Sequence, residues 1–181
     1  MQWGLIFEDA AVVPLFQRLD GKQKVLVLAA YIYRQIRLIK DFDRCYGERL
    51  SDLLVKALTS AVLDGKDVIR HVKDEVLGSI PDTDEFAEQE GAYAQNIMIA
   101  LDYFLLYMLG GDISDMQRSV DMALQNIDLL YYEMDEGYDE KKVVEQEVLV
   151  VLSIIKMVSK IPQGLYSDIR SVQELSRKYM L

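Results

Sequence analysis

An all-α fold is what this sequence predicts: a single-domain antiparallel bundle of about seven or eight helices around a central apolar helix near residues 84–109. Apolar residues recur at the 3.6-residue spacing of a core-facing helix, and no stretch alternates apolar and polar residues as a half-buried strand does. Proline occurs only at Pro14, Pro81 and Pro162. Each is placed to mark a helix boundary, because proline removes a backbone donor and clashes with the preceding turn.

The elements follow from this pattern. A short helix is expected around Val12–Leu19, then a turn at Asp20-Gly21. A second helix should run from Lys22 to Asp43, with Val25, Leu28, Ala29, Ile32, Ile36 and Ile39 inward and Arg34, Arg37 and Lys40 on another face. Gly47 closes it. A third, Glu48–Leu63, turns Leu50, Leu53, Leu54, Ala57, Leu58 and Ala61 to the core, and Asp64-Gly65 reverses the chain. A fourth covers Asp67–Leu77 and stops at Gly78.

Ile80-Pro81 opens the fifth helix, where Asp82 and Glu85 have capping-box spacing. Between Gly91 and Gly111 its only charge is Asp102, which places this helix at the centre. Gly110-Gly111-Asp112 breaks the chain, and Ser114 with Gln117 caps a sixth helix carrying Met116, Val120, Ala123, Leu124, Ile127, Leu130 and Met134 inward. The seventh starts near Asp139 with Val144, Val148, Val151, Leu152, Ile155 and Val158 facing the core, and a last helix covers Ser167–Tyr179. Short loops make successive helices antiparallel neighbours.

Half of the 181 residues are apolar, enough for one continuous core without disulfides or metal. The chain carries 20 basic and 30 acidic residues, a net charge of −10. Such a surface repels phosphate backbones and anionic headgroups, so neither nucleic acid nor membrane is an expected partner and a basic protein is. Cys45 stands alone, which fits a reducing cytoplasm. The segment Met1–Asp9 lacks the basic start and apolar run of a secretory leader, and Ile97–Leu109 is too short to span a bilayer.

Several short pieces carry a family resemblance: Arg18-Leu19 followed by Gln23, Ile80-Pro81 with acids and Phe86 after it, Gly91 and Tyr93 leading into the apolar helix with Ala100-Leu101, and Val144-Glu145-Gln146-Glu147. In order and spacing, over roughly Leu15 to Ser159, they resemble the YjaG-like proteins, all-helical bacterial proteins without an established biochemical role. The tails carry no such signal. Relatives of this kind are also similar to helical immunity proteins, which neutralise toxin domains delivered between bacteria. That resemblance implies a cytoplasmic inhibitor of a basic toxin domain. The YjaG-like resemblance alone implies a housekeeping protein, with a homodimer as one possible state.

No constellation for catalysis is visible, and no cofactor or metal is expected. The single histidine, His71, follows Val68 by three residues, which rules out paired Glu-x-x-His motifs; with charged neighbours it reads as a surface residue. Cys45 reads as a half-buried structural thiol, although a pairing with His71 across the fold is open. Gly110-Gly111 follows a helix, so it is a helix stop and not a phosphate loop. Asp102 is either a carboxylate poised for proton transfer or one partner of an ion pair, with Arg34 as an example. Glu147, beside the Val144–Val148 stripe, is expected to be partly buried by an inter-helix pair.

The acids are the most informative feature. Asp82, Asp84, Glu85, Glu88 and Glu90 form one group and Glu133, Asp135, Glu136, Asp139 and Glu140 another. Favourable placement at helix N-termini accounts for some of them, but Glu133, Asp135 and Glu136 fall at a helix C-terminus, where acids are disfavoured. With helices five to seven antiparallel, all ten carboxylates share one end, flanked by Tyr131, Tyr132 and Tyr138. The expected partner-binding set is Asp82, Asp84, Glu85, Glu88, Glu133, Asp135, Glu136, Tyr138, Asp139 and Glu140. A merely solvated end is the alternative.

Overall fold

A computed structural model describes residues 1–63, 65–134, 136–161 and 168–181. The described residues contain no strand. Their α-helices are α1 (Trp3–Phe7), α2 (Val13–Gln17), α3 (Gly21–Tyr33), α4 (Ile36–Tyr46), α5 (Leu50–Leu63), α6 (Lys66–Gly78), α7 (Gln89–Gly110), α8 (Ile113–Met134), α9 (Glu140–Val158) and α10 (Ile169–Ser176), with a 3-10 turn at Arg177–Tyr179. The fold is all-α. Buried apolar side chains from α1 to α10 form one continuous core.

The apolar composition of α7 puts it in the middle. It packs most extensively on α8 and also touches α3, α4, α5 and α6. By length and composition alone α7 could cross a membrane, but half of its apolar window is buried in the bundle. Gly47 ends α4 and Gly111 ends α7 in the left-handed conformation, with φ of 73° and 75°. Glycine adopts that conformation without the steric cost other residues meet. The inward residues expected on α5 are all buried, as are those expected along α3 and α4.

Six expectations are corrected. The second helix does not run unbroken: it divides into α3 and α4 at Arg34-Gln35, where Gln35 has φ −91° and ψ 8°. Both adjacent side chains are buried. Neighbours on a straight helix point roughly 100° apart, whereas here each reaches a separate interior partner. Gln35 Nε2 donates to the Ala123 carbonyl (3.0 Å) and Asn126 Nδ2 donates to Gln35 Oε1 (3.1 Å). Asn126 also donates to the Tyr93 carbonyl and accepts from Asn96 (both 2.9 Å).

The central helix starts at Gln89, not near residue 84. Asp82 caps no helix; its Oδ1 accepts the Asp84 amide (2.9 Å) and its carbonyl closes one isolated turn with Phe86 N (2.9 Å). Phe86 then drops between Phe42 and Tyr46, with ring centroids 5.1 and 4.9 Å away. Its carbonyl backs directly onto Gly91, where a Cβ would lie 1.9 Å from that oxygen.

The start of α8 is held by Asp112, whose Oδ1 accepts the Ser114 amide (2.9 Å), rather than by a Ser114–Gln117 box. On α9 the buried face is Val143, Glu147, Val150, Val151, Ile154, Ile155 and Val158, rotated from the expected stripe. Valines surround this helix, so periodicity alone is ambiguous; the buried Glu147 fixes the face. Met134, expected inward, is 76% exposed.

The helix α1 was not anticipated. Trp3 stacks on Phe7 (4.2 Å, 10°), and Phe7 meets Phe16 and Tyr31 edge-on (5.4 and 5.9 Å). The Trp3 amide donates to the Asp121 carboxylate of α8.

Candidate protein-interaction surface

The antiparallel order brings one end of α7 beside the opposite end of α8. Tyr93, in the second turn of α7, donates its hydroxyl to Glu133 Oε2 (2.8 Å) near the end of α8. Gln89 Nε2 donates to the same hydroxyl (3.1 Å). Burial, followed by the Glu133 bond, raises the Tyr93 phenol well above its ordinary pKa. Tyr46, in the last turn of α4, accepts from the Glu88 amide (3.3 Å). Asp139 caps α9 through the Lys141 amide (3.0 Å). Residues 85–90, 133–134 and 136–140 therefore lie at one end of the bundle.

Asp82, Asp84, Glu85, Glu88, Glu133, Glu136, Asp139 and Glu140 are all exposed. Asp135 lies outside the described residues. The acids divide into two patches. Asp82 and Glu85 line a recess with Phe42, Glu48 and Leu50, against α4 and α5. Glu133, Glu136, Asp139 and Glu140 surround the α8–α9 connection. Asp139 faces Lys142 at 4.0 Å. Among the described residues, no ion pair engages Glu85, Glu88, Glu133, Glu136 or Glu140. The dipoles of α7 and α9 favour Glu88, Asp139 and Glu140. The Tyr93 hydroxyl gives Glu133 a structural role that sequence reasoning missed. Glu136 has no such partner.

The tyrosines separate by role. Tyr131 is half-buried and its hydroxyl accepts from Gln146 (2.8 Å). Tyr132 is 66% exposed and meets Tyr138 edge-on, centroids 5.5 Å apart at 75°. Tyr138 is steered by Asp128, which accepts its hydroxyl; that bond, then burial, pushes the phenol up to about 12. Asp128 Oδ2 also faces the Met1 amino group at 3.5 Å. Asn96, Gln125, Asp128, Leu129, Tyr132 and Tyr138 line a recess of about 330 Å³. Asp128 was not singled out from sequence, Tyr132 was expected only to flank the acidic group, and Met134 was expected inward; periodicity does not report which residues near the end of α8 lie uncovered.

Each of the two interior acids faces a cation. Glu147 is fully buried, not partly, and Arg34 pairs with it: Nη1–Oε2 is 2.6 Å and Nη2–Oε1 is 3.1 Å. Tyr31 donates to Oε2 (2.6 Å), and Arg34 Nε donates to the Tyr179 carbonyl (2.7 Å). Arg34 is therefore buried, whereas Arg37 and Lys40, expected on the same face, are exposed. Asp102 pairs with Lys73 (3.5 Å) and not with Arg34, and its Oδ1 has no hydrogen bond. Burial raises its pKa, opposed by Lys73. His71 is exposed, as is Cys45, which sequence placed half-buried. No hydrogen bond joins them, and among the described residues no three His, Cys, Asp or Glu side chains converge as metal ligands would.

In comparisons with protein families, with curated proteins and with solved structures, the chain matches none.

Proposed function

We propose that this protein is a stoichiometric protein inhibitor of the immunity type. It acts by binding a basic toxin domain, a nuclease being the best-suited class, and covering its positive active-site surface. One observation carries the reading. Exposed carboxylates just before α7, at the end of α8 and at the start of α9 lie at one end of the bundle, outnumbering the two exposed lysines beside them, Lys141 and Lys142, and adjoin exposed Tyr132 and Met134. A field of one sign speeds encounter with an oppositely charged partner, and aromatic and methionine side chains supply contact area once docked. No catalytic role is assigned to any residue.

The test is affinity purification of the tagged chain from its host, washed at low and high salt, with mass spectrometry of what is retained. The inhibitor reading expects a basic domain recovered one-to-one, weakened by salt, and lost with Glu133→Lys and Glu136→Lys while far-UV circular dichroism stays unchanged. Recovery of the chain alone, as a homodimer, or of a metabolic enzyme insensitive to these changes overturns it in favour of a housekeeping role.

A further inference from the structure

We infer that the recess between Tyr132 and Asp128 is the anchor point of that surface and accepts an arginine side chain of the basic partner; this rests on the inhibitor reading. The recess, about 330 Å³, lies where α7 contributes Asn96, α8 contributes Gln125, Asp128, Leu129 and Tyr132, and the α8–α9 connection contributes Tyr138. No cationic side chain lines it.

Its components match a guanidinium. Tyr132 is largely exposed, and the Tyr138 ring meets it edge-on at 75°. A guanidinium stacks on such an aromatic face and forks onto a carboxylate at the same time, which an ammonium does less well. Asp128 supplies the carboxylate. Its Oδ1 is held by the Tyr138 hydroxyl, so the guanidinium engages Oδ2, in place of the Met1 amino group that faces this oxygen at 3.5 Å. The Asn96 amide donates its Nδ2 to Asn126, which leaves its oxygen to accept. Glu133 and Glu136 flank the recess in sequence and have no cationic partner among the described residues. Charge complementarity thus selects a basic occupant, and the paired aromatic wall and carboxylate select arginine over lysine.

Fluorescence anisotropy of fluorescein-labelled nona-arginine and nona-lysine with the full chain tests this at moderate salt. Nona-arginine should bind at least several-fold more tightly. Tyr132→Ala, at an exposed position that does not support the core, should weaken nona-arginine about tenfold and erase its advantage over nona-lysine; Tyr132→Phe should retain both. If Tyr132→Ala binds like the parent while Glu133→Lys with Glu136→Lys abolishes binding, the recess is not the anchor although the acidic surface stands. If the parent chain binds neither peptide, both the recess and the surface reading fall.

Discussion

Arg34 and Glu147, 113 residues apart in sequence, meet as a two-pronged pair inside the bundle, with the Tyr31 hydroxyl on one of the carboxylate oxygens. Removing one member leaves the other charged, buried and alone. Glu147→Gln should cost about 3–5 kcal/mol. Replacing both, Arg34→Met with Glu147→Leu, should recover most of that loss, since a well-packed apolar pair of similar volume is often no worse than a buried ion pair. Urea unfolding of the three chains decides it. A single variant as stable as the parent would show the pair is solvated in solution.

Gly91 is required for space and not for backbone conformation. A methyl group there would strike the Phe86 carbonyl at 1.9 Å, and backbone cannot yield as a side-chain tip can. Gly91→Ala should destabilise by roughly 3 kcal/mol, at the upper end for an overpacked site. It should also loosen residues 82–88, so hydrogen exchange should accelerate at Phe86 before it does in α8. Unchanged thermal stability would refute the contact.

The Tyr138 phenol, pushed up to about 12 by its bond to Asp128, links stability to alkaline pH. Its folded pKa exceeds that of a free tyrosine, near 10. The stabilisation is therefore complete below about pH 10 and is lost as pH rises through about 12. Tyr31, raised by burial and then by Glu147, acts in the same direction. In a titration of absorbance at 295 nm, Asp128→Asn should return one phenol to the ordinary range. An unaltered curve would mean that Asp128 does not hold Tyr138.

Asp102 has the opposite sense from most carboxylates. Burial raises its pKa, with Lys73 opposing. The contribution is favourable below the unfolded carboxylate range and declines as pH rises through the folded value. The parent should therefore gain stability relative to Asp102→Asn as pH is lowered through the carboxylate range. Denaturation midpoints of the two chains across that range give the answer, and a parallel pair of curves would contradict it.

The helices were legible because their apolar residues repeat at the helical period, as α5 illustrates: every residue expected inward is buried. What escaped was set by partners distant in sequence. The break at Arg34-Gln35 has no proline or glycine to announce it; it exists because Glu147, Ala123 and Asn126 wait in three directions. Five residues of α1 are too few for a periodic signal, and their burial comes from packing on α8 and α9 and from ring contacts with Phe16 and Tyr31. At the acidic end, the identity of the carboxylates was readable from composition. The exposure of Tyr132 and the anchoring of Tyr138 by Asp128 needed three-dimensional placement. Asp102 was visible as an anomaly, but its partner Lys73 lay in a stretch that looks uniformly solvated.

The Arg34 site also constrains how the chain can be made. Its guanidinium is satisfied by Glu147 and by the Tyr179 carbonyl, and its own carbonyl accepts the Leu181 amide (3.0 Å). All of these arrive long after α3 and α4 have left the ribosome. Until then, closing the core around Tyr31 would bury a lone cation, at a cost of several kcal/mol. Native packing around Tyr31 therefore requires the residues from Glu147 to Leu181 to be in place alongside α3 and α4.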